Sequence, residues 1–463
     1  MIISLSQQNN GLSILKWKLK QQAKRNASIF LSLSISLTSY SQTTDSVYNK
    51  RWSFHYQNTI ISQYHPDFTS PYSGINSLQA SEKSSLSISA TAFLGVRLWN
   101  NAFAYYNPEI TGGSGFSQTR GVAGFPNGEV YRVDKTAPNA SNARYYIRQL
   151  FALSNQSQTI DDGLNQVKAK IPTSYLSLTA GKFSILDFFD NNKYSHDPRS
   201  QFYNWALMGN GAWDYPANTK GYTFGAVAEL VQPLWAVRYA MVMVPLIANG
   251  SEMDNDIRHS NSSALEYEHK YKLGNHAGTV RLIGFYSQAR MGNYKDAIIY
   301  AQQGGDISHA IDSVSKRGNN KFGCGLNIDH TFSEYIGMFF RASINDGRNE
   351  TWAFTEIDRA ISIGVQINGQ KWKRNTDKIG LALLANGISK DHRNYLAAGG
   401  YGFIIGDGAL NYKPEMIAEL YYSFTVLHSP FTLSPDYQCI FNPGYNKDRG
   451  PVNAFGLRVH AEL

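Results

Sequence analysis

The chain has 463 residues, of which 17% are charged and 13% aromatic, with 29 Tyr, 39 Gly and 15 Pro. Low charge with abundant Tyr and Gly suits many strands and turns rather than a disordered chain, and two cysteines, Cys324 and Cys439, exclude a disulfide scaffold or a cysteine-based zinc module. The formal charge of +8 makes no case for nucleic acid, because five of the 43 basic residues and none of the 35 acidic ones fall within residues 1–41, leaving the remainder near neutral.

Those five, Lys16, Lys18, Lys20, Lys24 and Arg25, precede an apolar stretch from Ala27 to Leu37 and a small-residue ending, Ser39-Tyr40-Ser41. This three-part pattern predicts a signal peptide over 1–41, cleaved near Ser41, with 42–463 as one domain. No later stretch offers 18 uninterrupted apolar residues; the best, 236–248, is broken by Arg238. The rest of the chain therefore has no helical route through a membrane. A closed barrel stays open to it, because helices and closed barrels alone satisfy their backbone in lipid.

Period-two alternation then runs the length of the chain. Leu86, Ile88, Ala90, Ala92, Leu94, Val96 and Leu98 alternate with Ser85, Ser87, Ser89, Thr91, Phe93, Gly95 and Arg97. The last stretch, with Phe455, Leu457, Val459, Ala461 and Leu463 on one face, reads the same way. Sixteen such segments are predicted. The first eight are 52–62, 84–99, 102–110, 143–153, 174–184, 220–231, 234–246 and 263–274. The others are 277–289, 321–333, 335–345, 358–369, 376–386, 414–427, 430–441 and 452–463. Most exceed the five or six residues usual in soluble sheets and suit strands that cross a bilayer at a tilt.

The links between segments alternate in length. Even segments are followed by very short ones, such as Asn100-Asn101, Gln232-Pro233 and Asn275-His276, and odd segments by long ones, 111–142, 187–219, 290–320 and 387–413. The link 154–173 is the exception. Segregation by parity fits an all-β transmembrane antiparallel barrel with short periplasmic turns and long extracellular loops. Trp52, Trp99, Trp235 and Trp372 all fall at the inferred periplasmic rim, where an aromatic girdle belongs. If the apolar face meets lipid, the opposite face lines a polar lumen with Arg97, Arg144, Arg148, Glu229, Arg238, Glu266 and Glu268. Cys324 and Cys439 fall on apolar faces of well-separated strands.

The segment 181–225 stands out. It sets Phe188, Phe189, Trp205, Trp213 and Tyr215 among Asp187, Asp190, Asn191, Asp197, Arg199 and Asp214. Aromatic faces beside carboxylates and amides suit a sugar, whose C–H face stacks while its hydroxyls bond at the edge. The same aromatics equally suit a miniature core of the loop itself. The chain carries no HExxH, GxSxG or CxxC motif, and its histidines form no ligand pair at helical spacing. Asp187, Asp190, Asp197 and Asp214 near His196 read as a polar loop, so no catalysis, metal or cofactor is expected.

Three runs carry a family resemblance: His65-Pro66-Asp67-Phe68 with Ser70-Pro71-Tyr72-Ser73-Gly74, Gly121-Val122-Ala123-Gly124-Phe125-Pro126-Asn127-Gly128-Glu129, and Asp187-Phe188-Phe189-Asp190-Asn191-Asn192 through Asp214-Tyr215-Pro216. In these the chain resembles the carbohydrate-selective outer-membrane porins of the OprB type, from about Trp52 to the end. The resemblance implies a sixteen-stranded barrel in a Gram-negative outer membrane that passes monosaccharides such as glucose by facilitated diffusion. It implies a narrow channel lined by Arg and Glu, for which Arg144, Arg148, Glu229 and Arg238 are the inward candidates. Small sugars, outer-membrane lipid and the barrel-assembly machinery, reached through the C-terminal strand, are the implied partners, and the barrel is a monomer or a trimer. Three features depart from the pattern: Leu463 is not aromatic, the leader is long, and Asn218 stands where an acid is expected. A non-selective porin and a barrel enzyme of the lipase or protease type are the rival readings.

Overall fold

The structure is a computed structural model describing residues 50–130, 136–353, 356–426 and 429–463. The signal peptide expected over 1–41 lies outside the described residues. Eighteen strands run in chain order among the described residues. The first nine are β1 (Trp52–Tyr64), β2 (Ser85–Trp99), β3 (Ala102–Gly113), β4 (Asn139–Ala152), β5 (Ser157–Ile160), β6 (Ala169–Pro172), β7 (Tyr175–Phe183), β8 (Thr223–Val231) and β9 (Trp235–Val242). The others are β10 (Asn261–Leu273), β11 (His276–Met291), β12 (Lys316–Thr331), β13 (Ile336–Asn345), β14 (Arg359–Asn368), β15 (Lys378–Gly387), β16 (Glu415–Thr425), β17 (Phe431–Phe441) and β18 (Val452–Glu462).

Sixteen of them form a closed antiparallel barrel in which each strand pairs with its neighbour in sequence and β18 returns to β1. The seam is continuous from Gln57 opposite Glu462 to Tyr64 opposite Phe455. Leu463 extends it by exchanging backbone bonds with Tyr56 at 2.8 and 2.9 Å. Closure leaves no edge strand with unpaired backbone groups, which is what lets such a sheet sit in hydrocarbon.

Each predicted segment corresponds to one barrel strand, with ends that move by a few residues. The tenth barrel strand begins earlier than expected and the seventh ends earlier, where Pro245 has no N–H to give the ladder. Pro108 is tolerated within β3 because a register shift falls between Asn107 and Pro108. The 153–174 link, the exception in the parity pattern, holds the hairpin β5–β6, paired from Ser157 with Pro172 to Ile160 with Ala169.

The two faces of the wall are inverted relative to a water-soluble protein. In β2, Ser85, Ser87, Ser89 and Thr91 are buried, whereas Leu86 is 56% exposed. Leu178, Leu265, Leu282, Ile361, Leu383, Leu420 and Leu457 carry the exposed face around the ring. A continuous apolar belt of this size is the lipid-facing surface of a membrane barrel. Trp52, Trp99, Trp235 and Trp372 all lie at the short-turn end. Cys324 and Cys439 are free, on strands separated by four others.

Candidate functional site: a chamber inside the barrel

The loop 184–222 touches β4, β12, β13, β17 and β18, strands on opposite sides of a closed ring, so it lies in the lumen. Arg341 of β13 donates to the carbonyls of Leu207 and Ser195 at 2.8 and 2.7 Å. Arg458 of β18 donates to Pro198 at 2.7 Å, and Gln438 of β17 accepts from Asn204 at 3.0 Å. Asn192 donates to Asn327 of β12 at 2.7 Å. The loop reaches far down the barrel: the Tyr194 hydroxyl pairs with Thr331, the last residue of β12, at 2.6 Å. Gly337 makes that approach possible, since a Cβ there would lie 1.9 Å from the Tyr194 ring.

Carboxylates fasten the inward loops by their backbone. Glu419 accepts from the N–H groups of Tyr203 and Asn204, and Glu415 from those of Ala123 and Gly124. Asp214 accepts from Trp352 and Ala353 at 2.6 and 2.8 Å. Backbone donors folded into a barrel must find such acceptors or remain orphaned at a cost of about 1–3 kcal/mol each. Ala123 and Gly124 belong to the Gly121–Glu129 run and Asn192 to the Asp187–Asn192 run, so both runs help hold loops in the lumen.

Between the loops and the wall lies a cavity of about 550 Å³, within the range of small-molecule sites. Arg144, Arg148, Asp187, Asn191, Asp197, Arg199 and Trp205 line it. Arg144 makes a bidentate pair with Asp187, 2.7 Å for each bond, which ties β4 to the start of the loop. Arg199 donates to Glu129 at 2.8 Å and to Glu109 at 3.3 Å. Tyr222 donates to Glu109 at 2.9 Å and receives the Arg144 guanidinium over its ring at 5.2 Å. Burial disfavours the Arg199 charge, but Glu129 and Glu109 outweigh it and hold the guanidinium charged more firmly than usual. Burial likewise disfavours ionised Asp197, yet the nearby Arg199 charge and its N–H keep the carboxyl below its ordinary range. Burial, with the Arg341 charge adding to it, pushes the His196 imidazole below its ordinary range.

Glu229, Arg238 and Glu266 lie beside the chamber in a charge ladder along the inner wall. Arg148 bonds Glu229 at 2.9 Å, Arg238 bonds Glu229, Glu266 and Glu268, and Arg281 links Glu268 to Asp329. The other expected residues are placed away from the chamber. Asp190 is fully buried and bonds Asn210, Asn327 and Arg341, so it anchors the loop and does not face the cavity. Trp213 is 1% exposed, enclosed by Phe189, Tyr215 and Phe285, which leaves no face for a sugar. Asp214 is occupied by the backbone of residues 352 and 353. Arg97, expected on the pore wall, lies near the short-turn end of β2 and does not line this cavity.

Glu109, Glu129 and Tyr222 escape the sequence reading. Glu109 had a signal, since Asn107, Glu109 and Thr111 alternate with Pro108 and Ile110 in β3. Glu129 sits at the end of a run noticed for its family character alone, and nothing in the sequence points to Tyr222. Asp187 is engaged by Arg144, and Asp197 by the Arg199 N–H and Ser200. Among the described residues no group of His, Cys, Asp and Glu could hold a metal.

The fold is shared with a known outer-membrane barrel. Pseudomonas putida OprB at high pH matches with a TM-score of 0.67 and 16% identity, over 89% of this chain and 94% of that one. The same protein at low pH gives 0.47 at 13% identity, over 89% and 93%. The channel DcaP of Acinetobacter baumannii gives 0.49 at 8% identity, over 91% and 100%. No curated protein matches the sequence. The family described as carbohydrate-selective porin, OprB, matches residues 81–463, and the chain therefore belongs to that family.

Proposed function

We propose that this outer-membrane channel passes small sugars, monosaccharides such as glucose first among them, by facilitated diffusion. The observation that carries the reading is the chamber itself. Arg144, Arg199, Asp187, Glu109 and Glu129 present both donors and acceptors, while Tyr146, Phe188, Trp205, Tyr215 and Tyr222 add apolar faces. A sugar presents alternating hydroxyls around an apolar ring face, so paired charges beside aromatics match it at both edges. Because Arg144 and Arg199 are already paired with carboxylates, these two guanidiniums are held from trapping an anion. A family of channels leaves the lipase or protease reading without support.

The test is swelling of liposomes carrying the purified protein. Glucose should enter faster than a neutral amino acid of similar size and faster than a disaccharide. Equal entry of glucose and the amino acid would make the protein a general porin, and no swelling from folded protein would overturn the channel reading.

A further inference from the structure

The chamber has a second wall that rises from the opposite end of the barrel. Residues 153–174 occupy a position where neighbouring turns need two to four residues, and the excess folds back as β5–β6. Its tip is tight: Gly163 and Gln166 exchange backbone bonds at 2.9 and 3.0 Å across Leu164 and Asn165, and Asn165 takes φ +52°. The tip enters the lumen. Asn165 accepts from Asn107, a fully buried residue halfway along β3, at 2.9 Å.

The hairpin is seated and does not dangle. Val167, Ala169 and Ile171, one face of a period-two strand, join the buried core with Phe103, Tyr105, Tyr146, Leu150 and Tyr175. Gly95 clears room for it, since a Cβ there would lie 2.8 Å from Val167. Two polar ties hold its flanks: Lys50 donates its N–H to Lys168 at 2.9 Å, and Asp162 pairs with Lys50 and His55 at 3.3 and 3.6 Å. Leu164, Asn165 and Gln166 then line the same cavity as Arg144, Asp187 and Arg199. A turn of this length in a barrel that elsewhere keeps its turns short is built for a task.

We propose that the tip of this hairpin is a second constriction element, forming the short-turn-end floor of the chamber and setting, against loop 184–222, the cross-section a solute must pass. Leu164 is the specificity-determining position, because its side chain is the apolar projection at the tip and is 37% exposed. As a size filter for sugars the proposal rests on the function proposed above; as a constriction it does not, because ions report it directly.

The experiment uses the full chain with Cys324→Ser and Cys439→Ser, in planar bilayers. Leu164→Cys, treated with a charged, membrane-impermeant thiosulfonate, should lose about half of its single-channel conductance, as expected when a bulky group enters a narrow pore. Ser157→Cys, on the exposed outer part of the hairpin, should lose none. Leu164→Trp, which needs no chemistry, should lower conductance and Leu164→Gly raise it. Unchanged conductance in modified Leu164→Cys, or equal loss at Ser157→Cys, would overturn the proposal. If Leu164 controls conductance while swelling assays find no preference for sugar, the constriction stands and the sugar reading falls.

Discussion

At the scale of single residues, the two tryptophans of the inward loop separate recognition from packing. Trp205 begins a short helical turn, α1 (Trp205–Met208), capped by the Asn204 side chain on the Ala206 N–H, and its ring borders the chamber. Trp213 lies eight residues later in the same loop and is sealed among three aromatic rings. Trp205→Ala should therefore weaken block of ion current by glucose by about 0.5–1.5 kcal/mol, the range for a lost aromatic contact. Trp213→Ala should cost about 3–5 kcal/mol of loop docking through the cavity it leaves, seen as faster amide exchange across 205–215. A larger effect on sugar block from Trp213 than from Trp205, with exchange unchanged, would reverse the two roles. In the sequence they look alike, because composition marks a loop as aromatic without saying which ring turns inward on the loop and which turns toward the pore. Arg144 and Arg148 were legible for the opposite reason: a strand's period of two fixes the direction of every side chain on it.

At the scale of elements, sixteen crossings could be read because each carries its own alternation, whereas the way loops pair with one another had no such signature. The loops 292–315 and 346–358 are an example. They meet in a short ladder in which Tyr294 donates to Arg348 at 3.1 Å and Glu350 to Gly292 at 2.9 Å. The Glu350 side chain accepts the Gly292 N–H in return. Burial pushes this carboxyl up to about 8, against the Gly292 bond that lowers it and with Asp312 adding to the rise. A carboxyl whose folded-state pKa is raised binds a proton in the folded state that the unfolded state has already released. Its contribution is thus complete below about pH 4.3, the ordinary Glu value, and is lost as pH climbs through about 8. Amide exchange in the helix that follows, α2 (Tyr294–Gln302), should accelerate between pH 6 and pH 9 beyond the intrinsic chemical rate. Glu350→Gln, which keeps an acceptor without the proton, should flatten that dependence. A variant that still accelerates would place the titrating group elsewhere. The hairpin β5–β6 was hidden for a related reason: Val167, Ala169 and Ile171 alternate over too few residues to stand out, and the partner that buries them is the barrel's inner wall.

At the scale of the whole molecule, one inversion governs everything else: apolar side chains point out and charge points in. This pattern was the most legible of all, because it repeats on every strand and the parity of link length reports the two ends independently. Its energetic content can be tested on a single strand. Leu383 is at the middle of β15 and 55% exposed on the outer face, while Ile379 lies on the same face near the short-turn end. An arginine at the bilayer midplane of a barrel costs about 2–4 kcal/mol, falling to about 0–1 kcal/mol near the interface. Leu383→Arg should reduce folding stability in lipid vesicles by the larger amount and Ile379→Arg by the smaller, measured by reversible denaturant titration. In detergent micelles, which adapt around a charge, the difference should shrink. Equal costs at both positions in lipid would mean that this stretch of wall is covered by protein instead of acyl chains, and an association of barrels through β14–β16 would then be the place to look.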